Sequence, residues 1–332
     1  MKPFVTITDE QIRSLSISPA TCVEWVRDAF LAKHGCILSP KISQKPTPDS
    51  FFNTMPCCIP AFNRMGVKVV SRLPGNLPPL KSVIDLFDLS TGDLLAVMEA
   101  NWITSMRTGA VAALAARTFA ADFSRAVFGF VGLGATATAT LECLVSQLDS
   151  RPADVWLLEY KDQATGFSEK IRAHANLSFH VTHSREELAA NADVLFSCVT
   201  VMNEQFLPPE RFPAGCTLIP VHTKGFQDCD PVFDHVFGDD FGHISGFKRF
   251  REFRTFAEMA DVLAGRDPGR LSPSERILSY NVGIALHDVW FATRIFAGFH
   301  EAGAGNGAGR RTLRGSWMGA PVVENPRQAT RV

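Results

Sequence analysis

The sequence lacks a surplus of charge, paired cysteines and a long apolar run. Its 332 residues include 33 Lys and Arg against 34 Asp and Glu, a net charge of −1. No strong field is therefore available to attract nucleic acid or an anionic membrane surface. The longest uncharged run, between Arg125 and Glu142, is too short and too rich in glycine to span a membrane. We expect neither nucleic acid nor a membrane as a partner.

The eight cysteines form no C-x-x-C pair, and no Cys/His spacing matches a structural zinc site. The first residues also lack a basic region followed by an apolar segment, so we expect no secretory signal. Unpaired thiols in a reducing compartment are the simplest account of both absences. A cytoplasmic protein is predicted, with ample apolar material, 46% of the chain, for a core.

Local patterns predict two kinds of organisation along a chain whose length suggests about two domains. Before residue 122, Ser18-Pro19 predicts a helix start, Ser90-Thr91-Gly92 predicts a hairpin, and residues 101–121 form an alanine-rich helix. From residue 126 strands and helices alternate, which is typical of a doubly wound parallel sheet. A capping box at Thr255 and Glu258 predicts a helix that ends at Gly265, and residues 274–299 are predicted to form one long helix.

The most specific local feature is a glycine-rich turn that follows an apolar strand. Gly132, Gly134 and Ala137 give G-x-G-x-x-A at a helix start. The first glycine permits the tight turn, the second lets backbone approach a pyrophosphate, and the alanine lets helix and strand pack closely. Without that context the motif would indicate only a flexible turn; with it, the motif favours a dinucleotide site.

A carboxylate at the end of the second predicted strand bears on which dinucleotide would bind. Glu159 could accept hydrogen bonds from both ribose hydroxyls and would repel a 2′-phosphate, which favours NAD over NADP. Lys161 could attract that phosphate instead, and both residues could equally be solvated loop charges.

Three further segments contain polar residues suited to holding a substrate. Lys68 lies inside an apolar strand, where it either has a buried partner or snorkels to water. Arg107, among small residues at a helix start, could grip a carboxylate through two parallel hydrogen bonds or cap nearby carbonyls. The segment 222–243 is dense in Asp and His, which leaves open a hard-metal site, although turn chemistry explains most of its carboxylates.

At these residues the sequence resembles the ornithine cyclodeaminase/mu-crystallin family. The ordered matches are Met55-Pro56, GVKVV with Lys68, Pro74 and Asn76, Ser90–Gly92, ITSMRTGAVAA with Arg107, VGLGATA, and SYNVGIALHD with Asn281, Gly283 and Asp288. They extend over nearly the whole chain apart from the tail. The resemblance implies a Rossmann domain at 123–273, a discontinuous α+β substrate and dimerisation domain from 1–122 with 274–301, and a homodimer. Residues 302–332 are expected to be disordered.

The resemblance also implies roles for individual residues. A bound amino or keto acid would be held at its carboxylate by Lys68 and Arg107, with Lys41 as a looser basic match. Asp228 best matches the family's acid/base aspartate, although the usual Pro-Gly-Lys-x-Glu-Leu run after it is absent. Asn53 stands where cyclodeaminases proper carry Glu, which puts ornithine cyclisation in doubt. The candidate cofactor contacts are Gly132, Leu133, Gly134, Ala135, Thr136, Glu159, Thr108 and Val199.

The resulting hypothesis is an NAD-dependent oxidoreductase that acts at the Cα–N bond of an amino acid, with NADP as the other possible cofactor. Lys68 and Arg107 would fix the carboxylate, and Asp228 would exchange the proton at nitrogen. Ornithine cyclodeaminase proper, an opine-type synthase and a ketimine reductase are closely related alternatives. A non-catalytic binder of NAD(P)H and a small ligand is the alternative from another class, and a metal hydrolase using residues 222–243 is a third.

Overall fold

The computed structural model describes residues 3–171, 176–199, 202, 204–222 and 228–304. The elements up to residue 119 are β1 (Val5–Ile7), α1 (Asp9–Ser14), α2 (Pro19–Ala32), β2 (Ile37–Leu38), β3 (Ile42–Gln44), β4 (Phe51–Ile59), β5 (Arg64–Arg72), β6 (Leu80–Asp88), β7 (Leu94–Glu99) and α3 (Asn101–Phe119). As predicted, α2 begins after Ser18, whose side chain accepts a hydrogen bond from the Thr21 N–H, with Pro19 in the first turn.

The remaining elements follow from residue 128. They are β8 (Phe128–Val131), α4 (Ala135–Val145), β9 (Ala153–Leu158), α5 (Gln163–Ile171), β10 (Leu177–Thr182), α6 (Arg185–Asn191), β11 (Val194–Ser197), β12 (Thr217–Pro220), β13 (His235–Gly238), α7 (Phe241–Ile244), β14 (Phe256–Glu258), α8 (Met259–Leu263), β15 (Ile277–Tyr280) and α9 (Ala285–Ala304). No helix in this described part of the chain has the length and apolar character needed to cross a membrane.

The first sheet is built from strands before residue 100. Its order among the described residues is β1-β7-β6-β5-β4-β2, with β3 also paired to β4. Strands β4 to β7 form an antiparallel meander, and the predicted hairpin at Ser90–Gly92 joins β6 to β7. Helix α9 packs against β4, β5 and β6 on one face of this sheet. Successive side chains of β5 alternate between the two faces, so Lys68 lies on the buried face and Val69 is exposed on the other.

The second sheet confirms the predicted doubly wound parallel architecture. Its order in the described residues is β10-β9-β8-β11-β12-β15-β13-β14, and every neighbouring pair is parallel. Because β8 lies between β9 and β11, the chain reverses its winding direction there. The carboxyl ends of β8 and β11 therefore border the crevice in which such folds bind ligands.

Two sequence-based predictions in the last third are wrong. Residues 277–280 form the buried strand β15, so the helix predicted over 274–299 begins only at Ala285. A short apolar run is compatible with either a helix or a strand, and here pairing with β12 and β13 makes it a strand. Thr255 caps no helix: its hydroxyl donates to the backbone carbonyl of Asp234, and residues 256–258 pair as β14. The predicted helix begins only at Met259, although it ends just before Gly265 as expected.

The first sheet lies within residues 5–99 and the second within 128–280. Strand β15 thus belongs to the second sheet, whereas the predicted division places residues 274–301 in the substrate domain. The exact division into domains stays a prediction. Residues 302–304 of the predicted disordered tail belong to helix α9, and the rest of that tail lies outside the described residues. All eight cysteines are free thiols, as expected.

Helix α3 joins the two sheets through close backbone packing. A Cβ added to Gly109 would lie 2.5 Å from the backbone of Ala139 in α4, so no larger residue fits there. About two thirds of the α3 residues are buried, and its alanines allow this approach. The helix that carries Arg107 is therefore fixed directly against the helix that follows the glycine-rich turn.

Candidate active site

The structure brings Lys68, Arg107 and Asp288 together from three distant elements. The Lys68 ammonium on β5 lies 2.6 Å from Oδ1 of Asp288 on α9, and Nε of Arg107 on α3 lies 3.0 Å from the same oxygen. Lys68 and Asp288 are fully buried, and Arg107 is nearly so. One buried carboxylate therefore serves two cations, leaving the cluster with a formal charge of +1.

This arrangement changes the proton affinities of its members. Burial, assisted by the positive charge of Arg107, lowers the pKa of Lys68 to about 7, although the charge of Asp288 acts in the opposite direction. Burial alone would raise the pKa of Asp288, but the charges of Arg107 and Lys68 outweigh burial and hold this pKa below its usual value. The position of Asp288 in the first turn of α9 also favours its ionised form.

Gly283, in the loop between β15 and α9, fixes the position of the Arg107 guanidinium. Its φ is +83°, and an added Cβ would lie 2.5 Å from Nη1 of Arg107. Its N–H donates to Oδ2 of the buried Asp239 at 2.6 Å. Because the ion pair of Arg107 with Asp288 uses Nε, the Nη atoms beside Gly283 can form the two parallel bonds that a carboxylate requires.

Lys41 joins the same region from the segment before β3. Its Nζ donates to the backbone carbonyl of Val282 at 2.9 Å, and the nearby charges include Asp239, Arg107 and Asp288. Burial lowers the pKa of Lys41, with Asp239 opposing this effect. Lys41 and Arg107 thus both lie against the loop that contains Gly283, and Lys68 is linked to Arg107 through Asp288. This arrangement of positive charges is suited to holding an anion.

The glycine-rich turn has the geometry of a phosphate cradle. Gly132 has a φ of +81°, and an added Cβ would lie 2.9 Å from the backbone nitrogen of Val199. A Cβ at Gly134 would meet nothing within 4 Å, and no side chain caps α4 at this residue. The open space and the N–H groups of the first helical turn fit a pyrophosphate.

The other predicted cofactor residues are distributed around this turn. Val199 lies against Gly132, whereas Leu133 is buried and Ala135 is exposed at the start of α4. The backbone carbonyl of Thr136 accepts from Thr140, and the hydroxyl of Thr108 donates to the carbonyl of Thr104 in its own helix. These five positions and Gly134 stay predictions as cofactor contacts.

Glu159 has a structural task that the sequence did not indicate. Its carboxylate accepts hydrogen bonds from the N–H groups of Gln163 and Ala164, at the start of α5. Lys161 has a φ of +54°, and its ammonium lies over the Tyr160 ring. A ribose contact by Glu159 stays a prediction, and it would have to coexist with this capping role.

Two predicted substrate residues lie apart from the described ion pairs of the cluster. The Asp228 carboxylate is 61% exposed and lies 3.8 Å from the Lys248 ammonium. Asn53, on β4, has a buried Oδ1 without a hydrogen-bond partner in the described structure. Neither observation shows a chemical role, so the acid/base role of Asp228 and the substrate contact of Asn53 stay predictions.

The Asp- and His-rich segment contains no candidate metal site within the residues that the structure describes. Asp239 binds the Gly283 N–H, Asp240 accepts from His243 and pairs with Lys33, and Asp234 pairs with Arg254. Asp230 accepts a hydrogen bond from the Tyr280 hydroxyl. These carboxylates position loops and strand ends.

Sequence reasoning assigned no role to Asp288 or to the pair formed by Ser197 and His222. The hydroxyl of Ser197 lies 2.6 Å from Nε2 of His222, where β11 and β12 end. Asp288 had a weak signal, since a carboxylate in a mainly apolar segment needs a buried partner, but nothing local shows that this partner is Lys68. The Ser197–His222 pair had no local signal, since strand adjacency alone brings it together.

Together, the parallel sheet, the glycine turn and the buried cations define an α/β protein with a dinucleotide-type crevice and a buried cluster of positive charges. The chain belongs to the ornithine cyclodeaminase/mu-crystallin family, whose model matches residues 6–227.

Two relatives and one solved structure illustrate the similarity. The chain is 35% identical to alanine dehydrogenase from Archaeoglobus fulgidus, over 87% of this chain and 93% of that protein. It is 26% identical to nodulation efficiency protein NfeD from Rhizobium meliloti, over 80% of this chain and 85% of that protein. Thermococcus litoralis Δ1-pyrroline-2-carboxylate reductase, solved with NADH and L-proline, shares the fold with a TM-score of 0.78 at 22% identity, covering 90% of this chain and 98% of that one.

Proposed function

We propose that this protein is an NAD-dependent oxidoreductase that oxidises an amino acid to its imine, or reduces an imine, at the Cα–N bond. The observation that carries the proposal is the Arg107 guanidinium: Asp288 holds its Nε while its Nη atoms lie beside Gly283. Arg107 and Gly109 are two residues apart on α3, and Gly109 contacts the helix of the glycine turn. A substrate carboxylate and a dinucleotide would therefore be held by one rigid helix.

Arg107, Lys41 and Lys68 would have different roles in binding the substrate. The Nη atoms of Arg107 would form the paired bonds to the substrate carboxylate, with Lys41 as a further cation. Lys68 would not contact the substrate; its positive charge, paired with Asp288, would contribute to the positive potential at the site. The fixed carboxylate would hold Cα at one place at the sheet edge, and such orientation supplies much of the rate in reactions of this kind. The nicotinamide, when bound, would take up or return the hydride at Cα.

The pKa of Lys68, near 7, also suits a group that exchanges a proton at neutral pH. Asp228, the acid/base residue that the family resemblance implies, has a largely exposed carboxylate.

The direct test is absorbance at the NADH band. The protein is mixed with NAD and a panel of amino acids, including L-ornithine, L-proline and L-alanine, or with NADH and keto acids plus an amine. We expect substrate-dependent formation or loss of NADH. Tight NADH binding without turnover of any compound would contradict the proposal and favour a non-catalytic binder. Activity that chelators abolish and that needs no nicotinamide would favour the hydrolase alternative.

The glycine turn supplies a prediction about the cofactor. Replacing Gly132 with alanine is expected to weaken NADH binding at least about tenfold, because a positive φ and a clash with Val199 must both be accommodated. Fluorescence titration measures this affinity, and NADH should bind more tightly than NADPH to the unaltered protein. Gly265→Ala is the matched control, since Gly265 has a φ of +70° but lies in open space after α8. Equal NADH affinity in both variants would contradict the phosphate-cradle assignment.

The exposed face of the first sheet supports the homodimer. Val69 and Val83 are directly paired across β5 and β6 and are 37% and 42% exposed, and Phe52 lies exposed on β4. Helix α9 covers the opposite face, so a second copy is the proposed cover here. Light scattering after size exclusion should give a dimer that Val83→Glu converts to monomer. Val181→Glu, on edge strand β10, should leave the dimer intact. A monomeric unaltered protein would contradict the proposal.

A further inference from the structure

We propose that His243 is a positioning residue for the candidate site: oriented by Asp240, it holds the segment that carries Lys41 and thereby sets the affinity for the substrate carboxylate. The inference rests on the proposed oxidoreductase function and deepens it, because Lys41 is one of the cations proposed to attract that carboxylate. Sequence reasoning noted His243 only as part of a polar segment that left a metal site open.

The segment that carries Lys41 is fixed by a side chain from a distant element. Strand β3, which follows Lys41 directly, has only three residues, and all of them are exposed. The Lys41 N–H donates to Nε2 of His243 at 3.2 Å, while its ammonium donates to the Val282 carbonyl at 2.9 Å. His243 therefore holds the backbone from which the long Lys41 side chain reaches the loop that contains Gly283.

Both ring nitrogens of His243 are engaged, and their partners define their roles. Because Nε2 accepts from a backbone N–H, it carries no proton, so the proton of the ring is on Nδ1. Nδ1 lies 2.8 Å from Oδ2 of Asp240 and donates to it, and the ring is almost completely buried. Burial would raise the pKa of Asp240, but hydrogen bonds from His243 and Lys33 outweigh burial and hold this pKa at about 2. The ionised carboxylate thus orients the ring toward Lys41.

A buried lysine anchors this arrangement from the other side. The Lys33 ammonium lies 2.9 Å from Oδ1 of Asp240 and also pairs with Glu258. Both carboxylates accept hydrogen bonds from N–H groups at the start of α7. A helix of four residues is too short to be stable alone, so these contacts hold α7 in shape. The ion pairs of Lys33 therefore fix the element that presents His243.

The end of β13 positions two of the positive charges of the candidate site. Asp239 accepts from the Gly283 N–H beside the Arg107 guanidinium, whereas Asp240, the next residue, reaches Lys41 through the histidine. The two paths are separate. Loss of the histidine contact should therefore release Lys41 and weaken substrate binding without disturbing the guanidinium or the glycine turn.

The test compares two substitutions of His243 in steady-state kinetics, using the amino acid of the panel with the highest turnover. In His243→Asn the amide stands near the place of Nδ1, where it can bond to Asp240 but does not reach Lys41. In His243→Gln the longer side chain brings an amide oxygen to the place of Nε2, where it can accept from the Lys41 N–H. We expect His243→Asn to raise KM about tenfold with kcat within about threefold, and His243→Gln to keep both within about threefold.

Removing Lys41 separates positioning from a general loss of structure. Lys41→Met should itself raise KM about tenfold, and adding His243→Asn to it should change KM less than about twofold, because no cation is left to position. The NADH dissociation constant should stay unchanged in every variant. His34→Asn is the matched control, since it removes a histidine that contacts Asp261 on α8 instead of the Lys41 segment, and its KM should equal that of the unaltered protein.

Two kinetic results would overturn the inference. One is an unchanged KM in His243→Asn, and the other is an equal rise in KM when His243→Asn is added to the unaltered protein and to Lys41→Met. If His243→Asn does not fold, Asp240→Ala, which removes the partner of Nδ1, should give the same rise and the same lack of effect beside Lys41→Met.

A complex that cannot react keeps this inference separate from the proposed function. NADH and L-proline are both reduced, so calorimetric titration of the NADH complex with L-proline measures affinity without turnover. If no compound of the panel is turned over but His243→Asn weakens L-proline binding about tenfold, the proposed function is wrong and the positioning role stands. If the NADH complex of the unaltered protein binds no amino acid of the panel, both are wrong.

Discussion

Replacing Arg107 with alanine is expected to lower kcat/KM about 100- to 1000-fold while leaving the affinity for NADH unchanged. Truncating one partner of a buried, hydrogen-bonded charge pair costs about 2–5 kcal/mol, and each 1.36 kcal/mol corresponds to tenfold. Arg107 would lose its bonds to the substrate carboxylate and its bond to Asp288 together. Steady-state kinetics with the best amino acid of the panel, and fluorescence titration with NADH, separate the two effects.

Two further variants sharpen this result. Arg107→Lys keeps the positive charge but lacks the planar fork, so most of the loss should remain. Arg117→Ala removes another arginine of α3, one that donates to the Gln147 carbonyl and lies over the Phe123 ring, and turnover should be unchanged. Full activity of Arg107→Ala would rule out the proposed carboxylate contact, whereas a matching loss of NADH affinity would move Arg107 into the cofactor site.

Replacing Asp288 with asparagine is expected to lower the free energy of unfolding by about 3–5 kcal/mol at pH 7. The amide leaves Lys68 and Arg107 facing each other in a dry interior with no negative charge between them. The double variant Asp288→Asn/Lys68→Met also removes one of the two buried cations. It should therefore be more stable than Asp288→Asn alone and regain part of the lost free energy of unfolding. Urea denaturation of each variant measures the free energies.

The pH dependence gives an independent check of the same cluster. Because the folded-state pKa of Asp288 is depressed, its contribution to stability is present above its unfolded pKa and is lost as the pH falls through the folded value. The loss of stability caused by Asp288→Asn should therefore be smallest at the acid end of the pH range. Asp154→Asn, at an exposed residue paired with His180, should change the stability by less than about 1 kcal/mol. A similarly small change for Asp288→Asn would contradict the counterion role.

Much of the fold could be predicted because its signals are local. The Ser18-Pro19 cap, the Ser90–Gly92 hairpin and the alternation of strands and helices after residue 126 each depend on neighbouring residues. The predictions fail where a short segment could pair in more than one way. Residues 277–280 and 256–258 became strands because β12 and β13 offered them partners, which no local pattern reveals.

The site divides in the same manner. Lys68, Arg107 and the glycine turn could be chosen from the sequence, since a lysine in an apolar strand and an arginine among small residues are locally unusual. Their common partner could not be chosen, because Asp288 lies 181 positions from Arg107 in the chain. Asp228 shows the opposite case: its position in a motif suggested chemistry, while the structure gives it a surface neighbour.

The sequence by itself determined the class of fold, the glycine-rich turn and the family, because each depends on motifs whose own residues are close together in the chain. Only the tertiary structure decided that one buried carboxylate serves both Lys68 and Arg107, that Gly283 shapes the Arg107 fork, and that Ser197 meets His222. The reason is physical. Strand pairing and burial act between distant segments, and it is burial that gives Lys68 and Asp288 their altered proton affinities.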